Sequence, residues 1–98
     1  MSAPRVEEDG ATLRISGDLN RDTVPELLNR LEPLLRRHAG DAVCIDLRGV
    51  SRSDSAGLAL LVECRRLARL QQGSLCFEGL PEQMQHMARI SGLQDFLR

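Results

Sequence analysis

Asp54 and Ser55 are the residues of this sequence best placed to do chemistry, because they begin a predicted helix. The first residues of a helix lie beside backbone N–H groups without intrahelical partners and beside the positive end of the helix dipole. Ser55 could therefore cap the helix, contact a partner or accept a phosphate, since this position stabilises an anion. Local chemistry alone favours the cap, with Gly57 allowing the helix to pack closely.

Nucleophilic catalysis at Ser55 is not favoured. Position 53 is serine, so the Gly-x-Ser-x-Gly pattern of a nucleophile elbow is absent. A nucleophilic serine also needs a base, and the two histidines, His38 and His86, are expected at a helix C-terminus and on the surface of the last helix. The sequence has no phosphate-binding loop, dinucleotide fingerprint or metal-ligand spacing. We therefore expect a protein that is not an enzyme and that uses no cofactor or metal.

The three cysteines, Cys44, Cys64 and Cys76, each fall inside an apolar run. An odd number of cysteines without a Cys-x-x-Cys pair fits neither a disulfide framework nor a zinc site. We expect all three to be small buried hydrophobic residues, which is how free cysteine usually packs.

Composition narrows the class of protein. A chain of 98 residues with 42% hydrophobic and 28% charged residues predicts one globular domain over residues 1–98. A net charge of −1 and only two aromatic residues argue against a nucleic-acid partner, which requires a basic or base-stacking surface. The sequence has neither a membrane-spanning apolar stretch nor the apolar core of a signal peptide, so we expect a cytoplasmic protein.

Hydrophobic periodicity predicts four strands, the first of them an edge strand, at residues 4–8, 11–16, 42–47 and 74–78. Gly17 is expected to end the second strand. The third strand is nearly all apolar, as in a strand covered on both faces, and residues 48–53 are predicted to form the loop after it.

Helical spacing predicts helices from Thr23 to about His38, from residue 55 to 72, and from Pro81 to Gly92. Thr23 and Glu26 have the spacing of a capping box at the start of the first helix. The second helix should face the sheet with Gly57, Leu60, Leu61, Cys64, Leu67 and Ala68. After the last helix, the apolar residues that could fold back onto the core are Leu93, Phe96 and Leu97.

Strands joined by helices of this length imply parallel pairing with right-handed crossovers, so the predicted fold class is α/β.

Two segments of the chain resemble the signature of STAS domains. One segment is Asp46-Leu47, followed by a short loop and Asp54-Ser55-Ala56-Gly57-Leu58. The other is Gly17-Asp18-Leu19, at the end of the second predicted strand. The family includes anti-sigma-factor antagonists and regulatory domains of transporters. The resemblance implies a SpoIIAA-like fold, with a small, mixed and mostly parallel sheet and helices. It also implies that Ser55 matches the phosphoacceptor serine of the antagonists.

Residues 50–61 are more similar to the MlaB-like branch of this family, because Arg52-Ser53 replaces the aromatic and large apolar pair typical of antagonists. This resemblance implies a non-catalytic cytoplasmic subunit of an ABC-type phospholipid transporter that maintains outer-membrane lipid asymmetry. Its partner would be an MlaF-like ATPase subunit, assembled with a permease, and the protein would be peripheral to the inner membrane. Phosphorylation of Ser55 is less expected in this branch.

A second stripe of the second helix, at Leu58, Val62, Arg65 and Arg69, has an apolar half and a basic half. Such a layout suits a protein interface, and Arg52 would join it beside the helix start. Alternatively, Leu58 and Val62 pack beneath the last helix and the arginines are simply solvated.

Three functions stay open from the sequence. They are a transporter subunit of the MlaB type, an anti-sigma-factor antagonist switched by phosphorylation at Ser55, and a domain that senses a small molecule at the carboxyl ends of its strands.

Overall fold

The computed structural model describes residues 3–97. Its strands are β1 (Arg5–Asp9), β2 (Thr12–Leu19), β3 (Ala42–Ser53) and β4 (Ser74–Glu78). Its helices are α1 (Val24–Arg37), α2 (Ser55–Leu70) and α3 (Glu82–Ser91), followed by a short 3₁₀ helix (Gln94–Leu97). The strands lie in the order β1-β2-β3-β4, and β1 pairs antiparallel with β2 while the other pairings are parallel. The α/β class and the mixed, mostly parallel sheet are confirmed.

The core lies between one face of the sheet and the helices. Alternate strand residues point into it, because successive side chains of a strand face opposite sides. The buried strand residues are Leu13, Ile15, Leu19, Val43, Ile45, Leu47 and Leu75. The helical residues that meet them are Leu27, Leu31, Leu35, Leu58, Leu60, Leu61, Cys64, Ala68, Met84 and Ala88. Helices α1 and α2 also pack against each other.

The opposite face of the sheet is open, so the expectation that β3 is covered on both faces is wrong. Arg14, Arg48, Cys76 and Glu78 are exposed there. Asp46 of β3 is only 6% exposed, but arginine side chains cover it rather than a second layer of helices. The sequence of β3 is apolar enough for two-sided burial, but α1 and α2 both pack on the same side of the sheet.

The two central strands, β2 and β3, extend beyond the apolar segments that predicted them. Gly17 does not end β2, and the predicted loop at residues 48–53 is the second half of β3. The reason is strand pairing, since Gly17 lies opposite Val50 and Leu19 lies opposite Ser53. Hydrogen bonds between β2 and β3 therefore satisfy the backbone of residues 48–53, although most of their side chains are polar. Gly17 adopts φ +93°, and a Cβ there would lie 2.5 Å from the carbonyl oxygen of Ala3.

The prediction for the cysteines is wrong for two of the three. Cys44 and Cys76 form a disulfide on the open face of the sheet, with Cα atoms 4.7 Å apart. They are register partners on neighbouring strands, a proximity that spacing along the chain does not reveal. Cys64 is free and buried, as expected.

The turn before α1 replaces the predicted capping box. The Thr23 side chain makes no cap hydrogen bond; its hydroxyl donates to the carbonyl oxygen of Asp18 (2.8 Å) and accepts from the backbone N–H of Asn20 (2.9 Å). The Asn20 Oδ1 atom accepts from the backbone N–H groups of Asp22 (2.9 Å) and Thr23 (3.1 Å). Asn20 therefore organises the strand exit.

The other helix ends lie close to their predicted positions, although α2 ends at Leu70 and not at residue 72. Gly92 follows α3 with φ +72°, and Leu97 folds back onto the core at 8% exposure. Phe96 does not, since it is 43% exposed. Within residues 3–97, no helix has both the length and the hydrophobicity required to cross a membrane.

Candidate functional site

A cleft opens where β2 and β3 end side by side. Its volume is about 920 Å³, and it is lined by Asp18, Leu19, Asn20, Ser51, Arg52, Ser53, Asp54 and Gln83. The backbone N–H of Asp54 donates to the carbonyl oxygen of Leu19 at 3.1 Å, which joins the two strand exits. The cleft lies at the carboxyl ends of the strands, where a ligand-sensing α/β domain would bind its ligand.

The N-cap residue of α2 lines this cleft. Asp54 is the N-cap, and its Oδ1 atom accepts from the backbone N–H of Ala56 at 2.8 Å. Ser55 is the first residue of the helix and is exposed. Because Asp54 caps the helix, the Ser55 hydroxyl is not needed for that purpose, and the position is accessible to a partner.

Gly57 allows α2 to sit directly on the strand ends. A Cβ atom at this position would lie 2.1 Å from Ser53 Oγ and 2.9 Å from Leu19 Cβ. Ser53 is itself buried at 5% exposure, and its hydroxyl donates to the carbonyl oxygen of Asp54 at 3.1 Å. The expectation that Gly57 permits close packing is confirmed, and the closeness holds the start of α2 against the ends of β2 and β3.

Two of the residues predicted to face a partner serve the fold. Leu58 is 3% exposed and belongs to the core, so its assignment to an exposed interface stripe is wrong. The Arg65 Nε atom donates to the carbonyl oxygen of Phe96, and the Arg65 guanidinium carbon lies 5.3 Å from the centroid of the Phe77 ring. Burial lowers the pKa of Arg65. Arg65 therefore links α2 to the C-terminal 3₁₀ helix and to β4.

The exposed face of α2 is rotated from the predicted stripe. Of the predicted interface residues, Val62 is half-buried, while Arg52 and Arg69 are exposed. Helical spacing from Ser55 adds two residues that the sequence analysis missed, Ala59 and Arg66, both exposed. Counting turns from the phosphoacceptor-like serine, and not from the apolar Leu58, would have found them. We call the resulting set the α2 surface: Ser55, Ala59, Val62, Arg66 and Arg69.

One basic residue of the α2 surface, Arg66, is paired with an acidic residue of the same helix. The Arg66 Nε atom donates to Glu63 Oε1 at 2.9 Å, and this hydrogen bond lowers the pKa of Glu63. Arg69 adds a second exposed basic side chain near the end of the helix, and Arg52 lines the cleft just before the helix begins. The arrangement is a small apolar centre with basic groups at its margin.

A family model described as "Mlab, STAS domain" matches residues 2–98. The chain belongs to the STAS domain family. It is 33% identical to the intermembrane phospholipid transport system binding protein MlaB of Escherichia coli, over 88% of this chain and 84% of the relative. It is 32% identical to the anti-sigma-B factor antagonist of Bacillus subtilis, over 92% of this chain and 81% of the relative.

Solved STAS structures share the fold of this chain. The unphosphorylated form of the anti-sigma factor antagonist SpoIIAA superposes with a TM-score of 0.69 at 18% identity, covering 90% of this chain and 83% of that one. A STAS domain protein from Planctomyces limnophilus gives 0.72 at 16% identity, covering 96% and 86%. The SpoIIAA-like fold is confirmed.

The STAS motif residues of this chain do not all meet at the cleft. Asp54 lines it, and Ser55 and Gly57 follow in the first turn of α2, whereas Asp46 lies in the middle of β3 on the open face of the sheet. There the Asp46 carboxylate accepts from Arg48 Nε (3.0 Å) and Nη2 (2.9 Å), with Arg14 Nε at 3.8 Å. The hydrogen bonds from Arg48 hold the pKa of Asp46 below its usual value. Asp46 therefore stabilises the sheet of this STAS domain at a distance from Ser55.

Among the described residues, no histidine lines the cleft beside Ser55. His38 precedes β3 and Ser55 follows it, so the 12-residue strand separates them. His86 is exposed on α3, as expected. The cleft and the exposed first residue of α2 offer a surface for binding.

Proposed function

We propose that this STAS domain is a non-catalytic subunit that binds and regulates the ATPase of an ABC-type phospholipid transporter, as an MlaB-like protein. The observation that carries the proposal is the α2 surface, which runs along the helix from Ser55 to Arg69 and is exposed at every position except half-buried Val62. The relationship to E. coli MlaB, described as a binding protein of a phospholipid transport system, supports this choice of partner.

The α2 surface has the composition of a docking site. Ala59 and Val62 form a small apolar centre, Arg66 and Arg69 follow on the next turns, and Arg52 lies on β3 shortly before the helix begins. Apolar centres with polar rims are typical of protein interfaces, and arginine is enriched in them. A basic rim favours a partner that presents acidic groups around a small apolar depression.

The proposed partner also implies a location in the cell and an assembly for this chain. The chain would act as one STAS domain over residues 1–98, in the cytoplasm and peripheral to the inner membrane through an MlaF-like ATPase and its permease. In this role it would need no cofactor, nucleic acid or membrane span of its own. Its contribution to lipid asymmetry would be to support the assembly and activity of the ATPase.

A charge placed in the apolar centre tests the proposal. Val62→Asp should abolish co-purification with an MlaF-like ATPase, because the new carboxylate would have to be desolvated in the interface. Ala59→Glu tests the same surface at an exposed position where folding cannot be affected through the core. Ile90→Asp is the matched control, since Ile90 is an apolar residue on α3 that is 73% exposed.

Both α2 variants should melt cooperatively near the wild-type temperature, and Ile90→Asp should retain the ATPase. Co-purification of Ala59→Glu at the wild-type level would show that the α2 surface is not the docking site.

The alternative function is that of an anti-sigma-factor antagonist regulated by phosphorylation at Ser55. The specific observation in its favour is that Ser55 is exposed while Asp54 supplies the helix cap. The relationship to the B. subtilis antagonist supports it. Intact-mass measurement of the protein purified from its own cells would detect one added phosphate, lost in Ser55→Ala. Capture of a kinase in place of an ABC ATPase would favour this alternative.

A further inference from the structure

The open face of the sheet brings together three metal-binding side chains that the proposed function does not use. The Cys44 and Cys76 Sγ atoms and a carboxylate oxygen of Glu78 all lie within 4.8 Å of one another. Cys76 and Glu78 are two residues apart on β4, so their side chains share a face. Cys44 is the register partner of Cys76 on β3.

Rigid strands hold this cluster in place. The pairing of β3 with β4 continues on either side of the cysteines, from Ala42 opposite Ser74 to Asp46 opposite Glu78. Breaking the disulfide would therefore leave the two sulfur atoms close together. Cys44 is half-buried, and Cys76 and Glu78 are exposed, so solutes can reach the cluster from solvent.

The donor set favours a particular class of ion. Two thiolates and one carboxylate are ligands that Zn²⁺ accepts, and a water molecule can complete a four-coordinate site. Glu78 is available for this role, because its ion pair with Arg48 is long, at 4.0 Å between Arg48 Nη2 and Glu78 Oε2. The Arg48 guanidinium is already held by Asp46 at 2.9 Å.

We propose that Cys44, Cys76 and Glu78 form a Zn²⁺ site that is open when the disulfide is reduced and closed when it forms. In the opening step, two molecules of a glutathione-class thiol reduce the disulfide to two cysteine thiols and leave as one oxidised disulfide. In the binding step, Zn²⁺ displaces the two thiol protons to solvent and bonds both sulfurs and the ionised Glu78 carboxylate. Oxidation by a glutathione-class disulfide reverses both steps and releases the ion.

Charge around the cluster is compatible with this exchange. Two thiolates and one carboxylate around a divalent cation leave one net negative charge, and Arg48 lies beside Glu78 to offset it. The site lies on the side of the sheet away from the helices, so it can load and unload without disturbing the α2 surface.

The test measures Zn²⁺ binding by the full chain in both redox states. Reduced protein under anaerobic conditions should withdraw one Zn²⁺ per chain from a chromogenic chelator, and the oxidised protein should withdraw none. With Co²⁺ as a probe, the reduced protein should show thiolate-to-metal charge-transfer absorption and the strong visible bands of a tetrahedral site.

Glu78→Gln separates the metal site from the disulfide. This variant should still form the Cys44–Cys76 bond, yet its affinity for Zn²⁺ should fall by more than the roughly 10- to 100-fold that loss of an outer-sphere partner costs. Cys76→Ser should lose both properties, and Cys64→Ala, which removes the buried thiol, should lose neither. Reduced wild type that leaves Zn²⁺ with the chelator, or Glu78→Gln with wild-type affinity, would overturn the proposal and leave a structural disulfide.

Discussion

Gly57 and Ser53 approach so closely that a Cβ on Gly57 would lie 2.1 Å from Ser53 Oγ. We therefore predict that Gly57→Ala destabilises the domain by about 1–3 kcal/mol, the usual cost of overpacking a filled space. Urea denaturation would measure the loss.

The control for Gly57→Ala is a second substitution at the contact. Adding Ser53→Ala removes the nearest atom and should recover part of the stability, while the contact with Leu19 Cβ at 2.9 Å keeps the recovery incomplete. Wild-type stability of the single Gly57→Ala variant would mean that α2 can move away from the strand ends at little cost.

Ser55 should matter for binding more than for folding. Because Asp54 supplies the cap, Ser55→Ala should change the free energy of unfolding by less than about 0.5 kcal/mol, whereas Asp54→Ala should cost about 1 kcal/mol. Ser55→Asp places a second carboxylate beside Asp54. This charge is solvated in the free domain but must be desolvated in an interface.

The test of Ser55 combines melting temperature with partner affinity. Ser55→Asp should melt close to wild type and bind its partner much more weakly, with Ser55→Ala between the two. Equal affinity of wild type and Ser55→Asp would place the serine outside the interface.

The sequence predicted the parts of this fold that depend on local periodicity. The alternation that predicted a strand at residues 11–16 and the helical spacing that predicted a helix after Thr23 are properties of short segments, and both elements are confirmed. The Asp54–Gly57 motif likewise located the start of α2. These predictions succeed because the spacing of apolar residues within one segment indicates both its secondary structure and the face that it buries.

The errors arose where a distant segment decides the structure. The mostly polar segment 48–53 forms a strand because β2 offers it a hydrogen-bonding partner, and Cys44 meets Cys76 because the register of β3 and β4 aligns them. Leu58 is buried and not exposed because of the way α2 packs against the rest of the core. No pattern within one segment contains that information.

His38 should make stability depend on pH. Its Nε2 atom lies 2.9 Å from Glu8 Oε2 and its Nδ1 atom 3.2 Å from Asp41 Oδ2. The hydrogen bond with Glu8, followed by that with Asp41, raises the pKa of His38 above 6.5. Arg37 shares the Glu8 carboxylate at 2.6 Å, and β1 is thereby tied to the end of α1.

A raised pKa means that the folded state binds the proton more tightly than the unfolded state. The stabilisation is complete below the unfolded pKa near 6.5 and is lost as the pH rises through the higher folded value. We expect wild type to exceed His38→Gln by at most about 1 kcal/mol at pH values well below 6.5. The difference should shrink in alkaline buffer, and denaturant titrations at both pH values would show it. A difference that grows with pH would contradict the assignment.

Cys64 should behave differently from the other two cysteines. Burial raises the pKa of its thiol to about 12, so almost no thiolate is present at neutral pH, and it is also inaccessible. After mild reduction, the native protein should react with two equivalents of a thiol reagent, at Cys44 and Cys76. Cys64 should react only in denaturant, as counted by mass spectrometry. Rapid labelling of Cys64 in the native protein would show that its side of α2 opens readily.

The strand order β1-β2-β3-β4 follows the order of the chain, and this has a consequence for how the domain folds. Each strand pairs with the one made immediately before it, so no strand has to insert between two that are already paired. Each parallel pairing closes a loop that contains only its own helix, which keeps the entropic cost of closure small. A nascent chain emerging from the ribosome can therefore add one strand at a time to a growing sheet, and β4, with Cys76, docks last onto an edge already formed by β3.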